Sequence, residues 1–246
     1  MSTETHLKTT ISLDVEKDFI IRTDAHCHIL PGVDDGAAKL SDSIAMARRA
    51  AAEGIQQIVA TPHGFHPSLP LAHDASQLRQ AVAHLNQVFS ENEIPVTVLP
   101  GMELYMSDRL PEMHEAGEVI TWADQNRYIL TELGFKCCSE ATWDVLEYFL
   151  TRDITPIIAH PERYTWLPQQ MHMIDELIEA GCWMQINTMS LAGHWGANIQ
   201  DLAFSVIAKT DRWIVGTDAH RVADKYYDLE RVRDNVRKRG FSLGTQ

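Results

Sequence analysis

Six short segments of this chain combine histidines and acids at the ends of apolar runs. They read Asp24-Ala25-His26-Cys27-His28, Ala60-Thr61-Pro62-His63, Gly101-Met102-Glu103-Leu104, Thr131-Glu132-Leu133, Ala159-His160-Pro161-Glu162-Arg163 and Gly216-Thr217-Asp218-Ala219-His220. Buried imidazoles and carboxylates are costly unless they are paired or bound to metal. His26 and His28 stand two apart at a strand end, so both rings can face one side and chelate. Asp218 and His220 repeat that spacing. Asp35, in the loop Leu30-Pro31-Gly32-Val33-Asp34-Asp35-Gly36, offers another carboxylate, although Asp-Gly also favours a plain turn. His63, Glu103, Glu132 and His160 each follow an apolar run. Singly, each residue has a bland reading as a surface pair, a capping histidine or a turn acid. Jointly, all of them would need the same strand end by accident. The candidate metal ligands are therefore His26, His28, Asp35, His63, Glu103, Glu132, His160, Asp218 and His220.

Charge narrows the metal count. The candidate carboxylates Asp35, Glu103, Glu132 and Asp218 carry four negative charges. Three divalent cations would leave a local excess of roughly two positive charges, suited to a phosphate dianion and a metal-bridging hydroxide. Such a ligand set is too large for one ion and ample for two or three. Mixed imidazole and carboxylate donors suit Mn, Fe or Zn rather than Ca. Phosphomonoester hydrolysis is one chemistry that such a charge would suit. The remaining histidines, His6, His66, His73, His84, His114, His172 and His194, are expected in surface or structural roles, with His66 standing nearest to a ligand. A cysteine phosphatase would need Cys-x5-Arg. Six residues after Cys27, Cys137, Cys138 and Cys182 stand Val33, Trp143, Asp144 and Thr188, which excludes that mechanism.

The elements that must position these groups alternate. Seven strand-like runs are expected near Ile20–Asp24, Ile55–Ala60, Val96–Leu99, Tyr128–Leu130, Thr155–Ala159, Trp183–Ile186 and Trp213–Val215. Most are β-branched or apolar on both sides, as buried parallel strands are. Helical patterns fall between them: a capped start at Ser41 running to Gly54, then Ala75 to Phe89, Glu140 to Leu150, Met171 to Ala180, Asn198 to Ala208 and Asp224 to Arg239. Alternation implies parallel pairing with right-handed crossovers. The fold class is α/β, and 246 residues with 45% apolar content suit one barrel. In such barrels the chemistry collects after the C-terminal strand ends, where the six segments lie. Residues 1–19 are expected as an N-terminal extension, and 20–246 as a single catalytic domain.

A net charge of −13 argues against nucleic-acid partners. The apolar runs are short and the N-terminus lacks the order of a signal peptide, so no membrane insertion and a cytoplasmic location are expected. The four cysteines have no framework spacing and are expected as reduced thiols.

The segments resemble the PHP (polymerase and histidinol phosphatase) superfamily, and within it the CpsB/CapC/YwqE type of bacterial metal-dependent protein-tyrosine phosphatases of capsule and exopolysaccharide systems. The resemblance is carried by His28-Ile29-Leu30-Pro31-Gly32-Val33-Asp34-Asp35-Gly36, Ile158-Ala159-His160-Pro161-Glu162-Arg163-Tyr164 and Gln185-Ile186-Asn187-Thr188-Met189-Ser190-Leu191-x-Gly193. It implies a distorted seven-stranded (β/α)7 PHP barrel, a trinuclear site held by the nine residues above with Glu103 bridging, and Arg163 on the phosphate. Relatives usually follow Asp-x-His with Asn and then Arg-Pro-Pro, and that arginine also serves the phosphate. Here the chain reads His220-Arg221-Val222-Ala223-Asp224-Lys225-Tyr226, so Arg221 is taken as the second catalytic cation, with Lys225 as its alternative. The implied partner is a phosphotyrosine protein, a capsule-type tyrosine kinase, and a homo-oligomer is compatible with the reading. The same chemistry on histidinol phosphate or a sugar phosphate is one competing reading. A non-catalytic regulatory domain stabilised by metal is the other.

Overall fold

The fold was analysed in a computed structural model that describes residues 22–68, 74–136 and 141–241. The expected extension over 1–19, the helix start at Glu140, and Cys137 and Cys138 lie outside the described residues. Among the described residues there are nine strands: β1 Thr23–Cys27, β2 Gln57–Ala60, β3 His63–Gly64, β4 Thr97–Pro100, β5 Glu103–Tyr105, β6 Tyr128–Glu132, β7 Thr155–Ala159, β8 Trp183–Asn187 and β9 Trp213–Gly216. Every pairing is parallel. The strands form two sheets, in the orders β1-β2-β4 and β3-β5-β6-β7-β8-β9.

Seven strands are expected from the sequence; among the described residues two of those runs are each divided between the two sheets, and neither sheet closes on itself. The second and third runs do not stop at Thr61-Pro62 and Gly101-Met102. They break there and resume as β3 and β5, in the other sheet. Pro62 has no N–H to give to a ladder. At Gly101 the strands crowd, and a Cβ would lie 3.0 Å from Val59 Cγ1. His63 and Glu103 therefore open β3 and β5 rather than trailing a finished strand. The end of β1 meets the segment that follows β9 through an isolated parallel bridge between Cys27 and Ala219. Asp218 N donates to His26 O at 2.7 Å and His28 N to Ala219 O at 3.0 Å.

The helices are α1 Leu40–Ala52, α2 Ala75–Glu91, α3 Leu110–Glu115, α4 Thr142–Leu150, α5 His172–Glu179, α6 Thr188–Ala192, α7 Ala197–Ile207 and α8 Leu229–Lys238. The cap expected near Ser41 is not formed: α1 starts at Leu40 with no side-chain cap. A full capping box stands instead at α2, where Asp74 and Gln77 bond each other's backbone N–H. The helix expected over Asp224 to Arg239 is broken at Asp228, which takes φ −80° and ψ 58° between a 3-10 turn and α8. Of the cysteines, Cys27 and Cys182 are buried free thiols.

Period-two alternation along the strands separates two cores. Ile58, Val98, Ile129, Ile158, Met184 and Val215 face outward into the main core with the helices. Their neighbours Val59, Leu130, Ile157 and Ile214 join Ala25, Ala159, Trp122 and Tyr128 in a separate cluster, against which Leu99 and Trp183 pack. Its members come from both sheets, so it fills the space between them. Trp122 closes it, donating from Nε1 to Ala25 O at 2.9 Å. Two residues further along these inward columns lie Thr61, Gly101, Glu132, Gln185 and Gly216, and two beyond the small ones lie His63, Glu103 and Asp218. The inward face thus changes from apolar to small to ionisable along the strand direction.

Candidate metal centre

Three local devices aim the first ligands. On β1 the register slips: Asp24 pairs with Ile58 but Cys27 with Ala60. Three steps on β1 match two on β2, a bulge that re-aims side chains. Cys27 accordingly joins the outer core, and His26 and His28 share the site. On β7 alternation would send His160 outward. Its left-handed backbone, φ 33° and ψ 53°, turns it in before the 3-10 turn Pro161–Arg163. Asp218 is also left-handed, at φ 50°. Non-glycine residues in this region are strained, and such strain concentrates at functional sites. Gly216 has a different role: a Cβ there would come within 2.6 Å of His26 Cβ.

The structure brings all nine expected ligands together. His26 Nε2 and His28 Nε2 face each other at 3.2 Å. Glu103 Oε2 lies 3.0 Å from His63 Nδ1, 3.3 Å from His26 Nε2 and 3.4 Å from His28 Nε2. Asp218 Oδ1 lies 3.6 Å from His26 Nε2 and 3.5 Å from His28 Nε2. His160 Nε2 is 2.8 Å from Glu103 Oε1. Asp35 Oδ1 stands 3.3 Å from His220 Nε2 and 3.5 Å from His63 Nε2. Three groups have ligand atoms close enough to share a cation: His28, Asp35, His63 and His220; His26, His28 and Glu103; and His63, Glu103 and Glu132. They overlap at His28, His63 and Glu103. His26, His28 and Glu103 are all but inaccessible, whereas Asp35 is 48% and His220 25% exposed, so the centre opens on one side.

These donors fit divalent ions on two grounds. Glu103 Oε2 and His63 Nδ1 are buried and close, yet neither makes an aligned hydrogen bond. Lone pairs converging without a proton between them suit a cation. Electrostatics agree. Burial alone would push the Glu103 carboxyl up, but the facing His26 and bonded His160 outweigh it and hold Glu103 well below the usual range. Burial likewise opposes charge on His26 and His28, yet Glu103 and Asp34 raise the two rings. A pocket that holds protons on buried imidazoles attracts cations. Burial, then the Glu103 charge, raise the Glu132 carboxyl to about 7.

Sequence reasoning missed the residues behind the ligands. Gln185 Oε1 accepts from His26 Nδ1 at 2.8 Å and from the His160 N–H at 3.2 Å. Asp34 Oδ2 accepts from His28 Nδ1 at 2.7 Å and from the His63 N–H at 3.0 Å. The Asp218 carbonyl accepts from His220 Nδ1 at 3.0 Å. Each bond keeps the proton on Nδ1 and leaves the Nε2 lone pair for the centre, the usual support of a metal-bound histidine. Gln185 Nε2 in turn donates to Asn187 Oδ1, and Asn187 Nδ2 to Asp218 Oδ2, at 2.8 and 2.9 Å. The available signal was polarity: Gln185 and Asn187 are polar at inward positions of an otherwise apolar strand.

Arg163 sits at the rim, 25% exposed, with Nη1 bonded to Asp218 Oδ2. Arg221 is exposed on the loop after His220 and makes no ion pair among the described residues. His66 is closer to the centre than expected: its ring centre is 5.5 Å from that of His63, and Ser68 N donates to its Nδ1.

YwqE of Bacillus subtilis, a tyrosine-protein phosphatase, is 32% identical over 207 residues, 84% of this chain and 80% of the relative. CpsB of Streptococcus pneumoniae, also a tyrosine-protein phosphatase, is 29% identical over 67% of each chain. A solved structure from work on YwqE and CpsB, described as metal-dependent tyrosine phosphatases, superposes with a TM-score of 0.84 at 30% identity, covering 90% of this chain and 89% of that one. A histidinol phosphate phosphatase from Lactococcus lactis, at 15% identity and a TM-score of 0.59, shares the fold. The family model for capsular polysaccharide synthesis, CpsB/CapC, matches residues 22–242, and the chain belongs to that family.

Proposed function

We propose that this protein is a metal-dependent phosphomonoester hydrolase acting on phosphotyrosine in a protein of a capsular or exopolysaccharide system. One observation carries the reading: Glu103 Oε2, buried and without a hydrogen bond, within 3.4 Å of three imidazole nitrogens. The overlapping groups support two or three ions of Mn, Fe or Zn, held by His26, His28, Asp35, His63, Glu103, Glu132, His160, Asp218 and His220, with Glu103 shared. When bound, such ions polarise phosphoryl oxygens and acidify water.

The chain's own residues do the rest. Gln185 and Asp34 hold the Nδ1 protons of His26 and His28 away from the centre. Arg163 presents a fixed fork of donors at the exposed rim, suited to two phosphate oxygens. Arg221, next to His220, is the second cation of the proposal. A phenolate leaves readily, so phosphotyrosine asks for no strong acid at the site. The opening beside Asp35 and His220 favours a protein substrate, and a capsule-type tyrosine kinase is the proposed partner. Seven strand positions and the bonds between β1 and the segment after β9 support reading the two sheets as a distorted seven-stranded PHP barrel, with 20–246 as one catalytic domain. No helix among the described residues is long and apolar enough to cross a membrane, and we place the protein in the cytoplasm.

The test is phosphate release from a phosphotyrosine peptide and from histidinol phosphate, by manganese-loaded and chelated protein. Metal-dependent release from the peptide is expected. Release from histidinol phosphate alone would overturn the substrate, and release from neither would overturn the hydrolase. His160→Ala should abolish release while leaving the circular dichroism spectrum intact.

A further inference from the structure

Arg163 is bordered by two aromatic rings that the chemistry so far does not use. Its Cζ stands 4.2 Å from the centre of the Trp195 ring and 5.0 Å from that of Phe135. The Phe135 ring also stacks on His160, at 5.6 Å between centres and 16° between planes. An aromatic wall therefore runs from a candidate ligand to the candidate phosphate cation. Phe135 is 36% exposed, one of three large apolar side chains that are exposed among the described residues. A single exposed apolar residue is ordinary. What separates this pair is how firmly it is held. The Phe135 carbonyl accepts from Thr165 N at 3.0 Å and from Thr165 Oγ1 at 2.8 Å, and the preceding Gly134 carbonyl from Trp166 Nε1 at 3.0 Å. Trp195 lies in a turn between Gly193 and Gly196, both with positive φ. That turn is tied back by His194 N to Met189 O at 2.9 Å, and by the His194 ring to Asp228 at 2.9 Å. Rings fixed in advance lose little freedom when a ligand arrives.

A phosphate monoester engaged by Arg163 can place its ester substituent against the rings that border Arg163. A flat aryl group gains offset or edge contacts there that an alkyl group does not. We propose that Phe135 and Trp195 form a seat for the aryl ring of the leaving group, and so determine the preference for aryl over alkyl phosphates. This deepens the phosphatase reading and rests on it for the identity of the phosphate site.

The test uses binding, so that it does not depend on turnover. Phenylphosphonate and methylphosphonate are titrated calorimetrically into the full-length manganese-loaded protein, its Phe135→Leu and Trp195→Leu variants, and Trp195→Phe. The parent should bind phenylphosphonate about tenfold more tightly than methylphosphonate. In each leucine variant that ratio should fall toward one with methylphosphonate binding unchanged, and Trp195→Phe should keep most of it. Equal binding of the two phosphonates by the parent would overturn the seat. So would an equal loss for both in the leucine variants, which would leave the rings as mere supports of Arg163. Phenyl selectivity in a protein that releases no phosphate from the peptide would uphold the seat and sink the phosphatase.

Discussion

The space between the sheets has a floor and a roof made by the same strands. At the floor, Ala25, Val59, Leu130, Ile157 and Ile214 pack under Trp122, which needs one hydrogen bond, to Ala25 O. A few residues along, the inward positions carry His63, Glu103, Glu132 and Asp218. The floor is held chiefly by apolar contact. The roof holds buried groups whose lone pairs face one another, with Glu103 Oε2 and His63 Nδ1 lacking hydrogen bonds. The space between the sheets is therefore packed at one end and chemical at the other, and substitutions at the two ends should be separable.

The largest effect should come from Glu103→Gln. It removes the charge that three imidazoles face, and activity should fall by about three orders of magnitude or more. Metal content by mass spectrometry should fall with it; full metal occupancy with lost activity would break the link between Glu103 and the ions. Trp122→Ala probes the floor. It should cost about 3–5 kcal/mol of stability in denaturant unfolding, while the metal content of the folded fraction stays at the parent level. Loss of metal there would mean the two ends are not independent.

Asp24 lies outside the space between the sheets, bonded to Thr217 beside Ile55, Val215 and Leu229 of the main core. Burial, against the bonds it accepts from Thr217, raises its carboxyl from 3.8 to about 6. The folded state thus binds this proton more tightly than the unfolded chain does. The cost of ionising Asp24 is absent below pH 3.8 and fully present above about 6. Relative to the parent, Asp24→Asn should therefore gain stability across that window, by up to about 3 kcal/mol. A difference that does not change with pH would contradict this. The smallest effect should be that of Gln185→Met, which keeps the bulk but removes the acceptor for His26 Nδ1 and should weaken metal binding by about 10–100-fold. Unchanged affinity would show that the His26 tautomer is set elsewhere.

The roof was easier to anticipate than the frame holding it. Glu103 and Glu132 stand out because acids at the end of apolar runs have few other uses, and the i, i+2 spacing of His26 and His28 survives in the structure. The bulge that makes that spacing work leaves no compositional mark. Nor does the left-handed turn at His160, since nothing in Ala159-His160-Pro161 announces a positive φ. The break at Thr61-Pro62 was visible as a proline, but a break that transfers a strand to a second sheet is a long-range outcome, set by how β3 and β5 pair. Asp34 was hidden by its neighbour: of two adjacent acids, Asp35 faces the imidazoles at the rim and Asp34 turns back to hold His28.

The bonding of β1 to the segment after β9 has a consequence for biosynthesis. His26 and His28 are made early, yet their backbone is completed by Asp218 and Ala219, some 192 residues later. A ribosome adding about 5–20 residues per second would expose the first histidines for roughly ten seconds or more before their partners emerge. The full set of candidate donors is therefore complete only once Asp218 and His220 have emerged and closed against β1.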